Sequence, residues 1–390
     1  MEEWKEYKLG DVVNVLDYKR VPLSSKERSL HQGIYPYYGA QGIIDYVDDY
    51  IFDGTYLLIA EDGENLKSKK QNIAQLATGK YWVNNHAHIA ESNGKSDIRF
   101  ICYLLNIMDV SGYITGSAQP KLNQANLLSI SIKLPSLQIQ KSIANFLSVF
   151  DNKIECNRRI NDNLEQQAQA LFKSWFVDFE PFKDGEFVES EMGMIPKGWK
   201  VKSLSGIADY RNGLAMQKFR PIDGEIGLPV LKIKELGQGL CDDSSEPCSP
   251  SMIGEKYIVN DGNIVFSWSG TLMVKLWCGG KCGLNQHLFL VDPQGFPNWF
   301  VYQWTKHHLD NFIRIAKDKA VTMGHIKRGE LDKAKVVVPN EKGMCNINAL
   351  MEPLFKQTIA IQIESRRLAQ LRDTLLPRLM SGELKVEAGF

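Results

Sequence analysis

The sequence predicts a mixed α+β chain: two α/β globular parts in tandem, separated by two long helices that form an antiparallel coiled coil, with a pseudo-two-fold repeat. Three observations carry this. Short motifs recur in the same order about two hundred residues apart. Each series of motifs ends in a β-rich run closed by proline. After each proline the spacing of apolar residues changes from the period of strands to that of helices.

The repeat comes first. "GWKVKSLSGIADY" (Gly198–Tyr210) echoes "EWKEYKLGDVVNV" (Glu3–Val15), pairing Trp4 with Trp199 and Leu9 with Leu204. "FDGTYLLIA" from Phe52 answers to "NDGNIVFSW" from Asn260, and "VNNHAHI" from Val83 to "LNQHLFL" from Leu284. "KLNQANLLSISIKLP" (Lys121–Pro135) matches "HIKRGELDKAKVVVP" (His325–Pro339), and the pair Arg158-Arg159 matches Arg366-Arg367. The offset drifts, as it does when insertions accumulate in the loops of two copies. Within each copy, β-rich runs such as "YLLIA", "HLFLV" and "AKVVVP" alternate with Gly, Asp and Asn turns. "DIRFICYLLNIM" and "NWFVYQWTKHHLDNFI" have helical spacing instead.

After Pro135 the apolar positions run Ile139, Ile143, Phe146, Phe150, Ile154, Ile160, Leu164, Leu171 and Trp175, the steps of a coiled-coil seam. Polar Asn157 interrupts it, and such a residue sets register at a cost in stability. The second series runs Ile347, Met351, Leu354, Ile361, Leu368, Leu375 and Leu379. Pro353 is expected to kink it or mark its start, and Pro377 to end or bend it. Some forty residues of helix span roughly 60 Å, more than one globular core needs. Paired along their seams, the two helices must run antiparallel, so the duplication lets one chain imitate a dimer. Two separate amphipathic helices, each lying on its own domain, are the alternative.

Composition sets limits. At 390 residues the chain is long enough for two or more cores. It is 44% hydrophobic and 24% charged, an ordinary soluble composition. No apolar run approaches the roughly 18 residues of a membrane span, and "MEEWKEYKLG" is not a signal peptide. Seven irregularly spaced cysteines fit free thiols in a reducing cytoplasm, so a cytoplasmic protein is expected. The formal net charge is +0, so any argument for nucleic acid rests on how charge is distributed. Asp178–Glu191 is acidic, whereas Lys306–Lys335 and "NLKSKKQ" (Asn65–Gln71) are basic. A two-fold arrangement suits duplex DNA with two half-sites, whose readers space contacts by turns of roughly 34 Å.

Enzyme chemistry finds few groups. There is no Asn-Pro-Pro-Tyr-type adenine pocket, no glycine-rich nucleotide fingerprint after a strand and no P-loop. Glu-x-Lys triplets at Glu3, Glu6 and Glu383 lack the upstream Pro-Asp of a metal-dependent nuclease. No catalytic residue and no cofactor is assigned. Cys241, Cys248, Cys278, Cys282 and His287 could supply zinc ligands, but their spacing is looser than a zinc ribbon's and no metal is assigned. His86 and His88, two apart on a predicted strand, share a face and read as a packed or hydrogen-bonded pair.

DNA readout needs phosphate-neutralising Lys and Arg together with polar side chains that reach base edges. In the first copy the candidates are Lys67, Lys69, Lys70 and Gln71, with Ser117, Gln119 and Lys121 on the other flank. In the second they are Ser267, Ser269 and Thr271 in a glycine-rich turn, with Thr322, His325, Lys327 and Arg328. Asn84, Asn85, Asn285 and Gln286 fit either this role or turn hydrogen bonding.

The stretch from "LPSLQIQKSIANFLSVFDNKIECNRRINDNLEQQAQALFKSWFVDFEPF" to "GMIPKGWKVKSLSGIADY" closely resembles the central region of type I restriction–modification specificity subunits, the HsdS family. "LRDTLLPRLMSGEL" is similar to that family's C-terminal signature. "WVNNHAHI", "GSAQPKLN", "NQHLF" and "VTMGHIKRGEL" resemble parts of its target-recognition domains. The variable stretches Gly33–Asp62 and Glu235–Lys256 match no family pattern. The resemblance implies two target-recognition domains, each reading half of a bipartite double-stranded DNA site. The helices would recruit two methyltransferase subunits and, for cleavage, restriction–translocase subunits, with no catalysis by the chain itself. The domains are then expected at 1–135 and 198–339, the helices at 136–177 and 340–384, with a linker at 178–197 and a tail at 385–390. A stand-alone two-site DNA-binding regulator and a self-sufficient restriction enzyme are the other readings.

Overall fold

A computed structural model describes residues 4–68, 71–116, 119–318 and 326–386 of the chain. They divide into two compact units, Met1–Asn152 with Ala369–Phe390 and Lys153–Leu368. Each is described by itself.

The first unit is built on a six-stranded sheet. Its strands are β2 (Val13–Val15), β3 (Gln32–Gly39), β4 (Gly42–Val47), β5 (Phe52–Ala60), β6 (Ala74–Val83) and β7 (Ala87–Ser92), in the order β2-β7-β5-β6-β3-β4. Beside it, β1 (Lys5–Lys8) pairs antiparallel with β8 (Ser131–Leu134). Short helices α1 (Ser25–Leu30) and α2 (Asn65–Ser68) sit in the connections, and α3 (Ile98–Ile107) and α4 (Gln124–Ser129) lie between β7 and β8. Ser24 caps α1 with Glu27 in a capping box, Asp97 caps α3 and Asn123 caps α4, satisfying the first amide groups of each helix. Leu9, Leu57, Ile59, Phe100, Ile101, Leu127 and Ile132 form the core.

The second unit repeats that core. Strands β9 (Phe187–Ser190) and β10 (Gly193–Pro196) make a hairpin within the stretch read as a linker, so that segment is folded. β11 (Lys200–Ser203) pairs antiparallel with β20 (Lys335–Val338), as β1 does with β8. β12 (Ala208–Asn212), β16 (Ile264–Ser267), β17 (Met273–Leu276) and β19 (Leu288–Pro293) form a sheet in the order β12-β19-β16-β17. That matches β2-β7-β5-β6 strand for strand, and the two cores share one topology. The additions differ. The first unit appends the hairpin β3–β4 beside β6, through a parallel β3–β6 pairing. The second builds a separate four-stranded sheet from β13 (Leu228–Leu231), β14 (Pro247–Cys248), β15 (Ile258–Val259) and β18 (Cys282–Leu284). Helices α6 (Ile233–Gln238) and α7 (Pro250–Ile253) belong to that insertion. α8 (Asn298–His307), α9 (Leu309–Asp318) and α10 (Gly329–Lys333) complete the unit.

The long helices are α5 (Leu137–Phe176) and α11 (Glu341–Met380), each of 40 residues. They begin 204 positions apart (137 and 341) and end 204 apart (176 and 380). No glycine or proline interrupts α5. α11 runs on through Pro353 and Pro377, so Pro353 does not mark its start and Pro377 does not end it. Each proline removes one intrahelical hydrogen bond, but Met351, Phe355, Leu376 and Leu379 around them are buried. Packing of the apolar face outweighs the local cost.

The helices pair antiparallel in both units. In the first, Ile143, Ala144 and Leu147 share a core with Leu376, Leu379 and Met380, and the Arg372 guanidinium reaches the Asp151 carboxylate at 2.5 Å. In the second, Phe172 and Phe176 share a core with Ile347, Met351 and Phe355. There Asn157 donates from Nδ2 to Glu364 Oε2 at 2.7 Å and to Ser365 Oγ at 3.2 Å. Asn157 is fully buried, the polar seam position that the pattern predicted. Two details differ from the sequence reading. Ile160 is exposed, and Asn161, one residue on, has its Oδ1 enclosed. Arg158 pairs along its own helix with Glu155 and Asp162, whereas Arg366 leaves its helix to hold Asp261 at 2.7 Å. With a helix offset of 204 the two Arg-Arg pairs are one turn out of step, so that match is not a structural equivalence.

Candidate nucleic-acid interface

In the first unit β5 ends at Ala60 and the chain turns through Glu61 and Asp62 into α2, which carries Lys67. Thr115, Gly116 and the stretch from Gln119 to Leu122 lie against this turn. Thr115 and Lys121 exchange backbone hydrogen bonds at 2.8 Å, and the Leu122 amide donates to the Glu61 carbonyl, also at 2.8 Å. Lys67 Nζ donates to the Gly116 carbonyl at 3.3 Å. Of the two flanks singled out for this domain, Lys67 and Lys121 are thereby both held at this turn. Gly116 makes the turn possible. Its φ is +83°, and a Cβ there would stand 2.2 Å from the Gln119 carbonyl oxygen.

Lys67, Gln71, Gln119 and Lys121 are exposed. Lys121 Nζ lies 3.2 Å from the Glu61 carboxylate, which also accepts from Arg20 at 2.6 Å. Burial pushes the Glu61 carboxyl up, but Arg20, His88 and Lys121 together hold it below the ordinary glutamate value. Lys69, Lys70 and Ser117 lie outside the described residues.

The second unit repeats the arrangement with other residues. The Ile326 amide donates to the Trp268 carbonyl at 3.1 Å, which sets Lys327 and Arg328 beside the turn after β16. Thr271, Lys327 and Arg328 are exposed. Arg328 donates to the Tyr210 carbonyl at 2.7 Å and approaches Asp209 at 3.7 Å. Ser267 is corrected: it is fully buried in β16 and its hydroxyl donates to the Ser269 carbonyl at 3.2 Å, so it belongs to the core. Ser269 is 5% exposed, its hydroxyl 3.1 Å from His287 Nδ1, and it shapes the turn from within. Thr322 and His325 lie outside the described residues.

Asn84 and Asn285, left open between base readout and turn bonding, are turn residues. Each is buried, and each Oδ1 accepts the amide of the histidine two residues on, His86 at 2.8 Å and His287 at 3.3 Å. Asn85 and Gln286 beside them are exposed. His86 and His88 do not share a strand face. His86 lies in the turn against Asp62, while His88 is on β7 and buried against Asp17.

Among the described residues one group of three or more ligand-type side chains converges: Asp17, Glu61 and His88, with ligand atoms within 4.8 Å of one another. Arg20 pairs with both of these carboxylates and Lys121 with one, so the charge a cation would neutralise is already matched. The cysteines and His287 weighed as zinc ligands form no such group. Cys278 lies near the Ile359 carbonyl, and His287 is bonded to Ser269 and Gln286. No helix among the described residues is long and apolar enough to cross a membrane.

The two copies of one sheet core each display polar turns at matching places. The model of the type I restriction modification DNA specificity domain matches residues 1–166 and again 196–372. The chain belongs to this family. It carries two of these domains in tandem. It is 30% identical over 301 residues to the type I restriction enzyme MjaIX specificity subunit of Methanocaldococcus jannaschii, covering 74% of this chain and 69% of that one. It is 23% identical to the HindI specificity subunit of Haemophilus influenzae, across 98% of this chain and all of the other. Among solved structures, the type I restriction–modification S subunit from M. genitalium shares the fold, with a TM-score of 0.58 at 16% identity over 97% of this chain and 96% of that one. The type I specificity chain thus has the tandem, helix-separated fold expected from its sequence.

Proposed function

We propose that the chain is the DNA-sequence-specificity subunit of a type I restriction–modification complex, reading a bipartite site with one half assigned to each domain. The observation that carries this is the shared core with unlike additions. The order β2-β7-β5-β6 recurs as β12-β19-β16-β17, while the hairpin β3–β4 and the sheet β14-β13-β18-β15 have no counterparts among the described residues. A common scaffold with private insertions suits two readers of different sequences on one duplex.

In this reading the target-recognition domains are 1–135 and 198–339, with the helices 136–177 and 340–384 as spacers. Exposed Lys67, Lys121, Lys327 and Arg328 neutralise phosphates, and Gln71, Gln119 and Thr271 approach base edges. The chain holds DNA and positions it without catalysing a step. Methyl transfer belongs to two methyltransferase subunits recruited by the long helices, and cleavage to restriction–translocase subunits, in the cytoplasm. The lone regulator and the self-sufficient enzyme gain no support from any side-chain arrangement described above.

The test is to co-express the chain with its methyltransferase subunit in a host lacking other methylation and to sequence modified bases. The reading expects methyladenine in two short defined elements separated by a fixed, unspecified gap. The purified chain with a methyl donor and no partner should leave DNA unmodified. Methylation by the chain alone, or an uninterrupted motif, would overturn it.

A further inference from the structure

His88 is the most enclosed ionisable group near the first domain's polar turns, and the DNA-reading role gives it no task. It sits on β7 opposite Ile59 of β5, with 1% of its side chain exposed. Both ring nitrogens meet oxygen. Nδ1 is 2.5 Å from Asp17 Oδ2 and Nε2 is 2.7 Å from the Leu122 carbonyl. The other Asp17 oxygen accepts the Ile89 amide at 3.0 Å, and Arg20 lies 3.3 Å from Oδ2, contacts that suit an ionised carboxylate. A carboxylate and a peptide carbonyl only accept, and a neutral imidazole donates from one nitrogen alone. The two short contacts are satisfied together only by the imidazolium.

The charged groups facing the ring are Asp17, Arg20, Glu61 and Lys121. With His88 protonated the cluster carries one net positive charge; with His88 neutral it carries none. Its reach is the polar turn. His88 holds the Leu122 carbonyl while the Glu61 backbone holds the Leu122 amide, and the Glu61 carboxylate holds Lys121. Gln119 and Lys121 are displayed from this anchored segment. Among its described residues the second domain has no such device. By the motif match and by strand position, Phe289 of β19 stands where His88 stands on β7, among Tyr210, Phe266 and Trp268.

We propose that His88 is a positioning residue for DNA recognition by the first domain alone: as an imidazolium it ties the Leu122 carbonyl to Asp17 and so fixes the segment that presents Gln119 and Lys121. This rests on the DNA-reading function proposed above. It makes recognition of one half-site depend on the protonation of one buried histidine and leaves the other half-site indifferent.

The experiment uses the full chain assembled with its methyltransferase subunit and a duplex carrying the mapped site. Competing duplexes are altered in one half-site or the other. Binding is measured from about pH 5 to about pH 9 for the wild type, His88→Gln and His88→Phe. In the wild type, discrimination at the first domain's half-site should fall roughly tenfold as pH rises, the scale of one hydrogen bond to a charged group. Discrimination at the other half-site should stay level. The amide introduced by His88→Gln can donate and accept but cannot change charge, so that variant's profile should be flat and its first half-site weakened at low pH. His88→Phe, which can donate to neither Asp17 nor the Leu122 carbonyl, should also give a flat profile, with a first half-site weaker than that of His88→Gln. Wild-type binding with a flat pH profile, or variants that weaken both half-sites equally, would overturn the role of His88 and leave the DNA reading standing. Absence of binding at every pH would defeat the DNA reading, and this proposal with it.

Discussion

Replacing Asn157 with leucine should stabilise the second unit. Asn157 is fully buried in the helix seam, where its Nδ2 has two partners and its Oδ1 has none among the described residues. The two hydrogen bonds are modest. Glu364 is 45% exposed and also holds Lys153 at 3.3 Å, and Ser365 already donates to the Ile361 carbonyl. Losing them costs about 1–2 kcal/mol together. An enclosed oxygen without a donor costs about 1–3 kcal/mol, which the substitution removes. Burying a leucine side chain contributes a further ~1.5–3 kcal/mol if it fits the seam. The balance favours Asn157→Leu by about 0.5–5 kcal/mol, and Asn157→Ala, which gains little burial, should fall below Leu by about 1.5–3 kcal/mol. Thermal unfolding followed by circular dichroism reads this as a rise of roughly 2–4 °C per kcal/mol for a unit of this size. The cost should appear as relaxed register, because a seam amide is what penalises slipped pairings. A leucine variant that melts several degrees lower would refute the reasoning, by showing that the bonds to Glu364 and Ser365 outweigh both other contributions.

Three further outcomes follow from the same geometry. Gly116→Ala forces a side chain toward the Gln119 carbonyl at a positive φ, so it should cost at least ~1 kcal/mol locally and weaken binding to the first half-site while sparing the second. Burial raises the Asp261 carboxyl, but Arg366 and the Gly280 amide outweigh it and hold the group below the ordinary aspartate value. A carboxyl depressed by folding stabilises above its unfolded value and loses that contribution as pH falls through the folded one. Acid denaturation of wild type should therefore show a contribution of about 1 kcal/mol or less, given partial exposure, that Arg366→Ala lacks; identical acid profiles would contradict this. Lys67→Ala combined with Lys121→Ala should flatten the dependence of log affinity on log salt by about 0.9 per lost phosphate contact, and an unchanged slope would remove both residues from the interface.

Much of the architecture was legible because it was written twice. The strand motifs matched in order, and the sheets they form share one topology. The seam around Ile143, Leu164, Ile347 and Leu379 could be read from spacing, and so could Asn157 within it. Local rules failed where packing overrode them. Pro353 and Pro377 should interrupt a helix by local chemistry, yet buried neighbours on both sides carry α11 through. Ile160 looked like a seam residue because it is apolar, but the seam passes through Asn161. Ser267 looked like a turn residue because serines and glycines surround it, but it is the last residue of β16, a strand buried on both faces. The network of Asp17, Glu61, His88 and Lys121 could not be seen at all. Its members come from four separate segments, and no spacing rule connects an aspartate to a histidine 71 positions away.

The central claim is that each domain reads its own half of the DNA site. The most direct measurement replaces residues 1–135 with the corresponding part of a relative of different specificity, co-expresses the chimera with the methyltransferase subunit, and maps methyladenine. Independent readers contribute additively, so one half of the motif should change and the other half and the gap should stay as they were. A chimera that altered both halves, or a parent motif without two halves, would contradict the account.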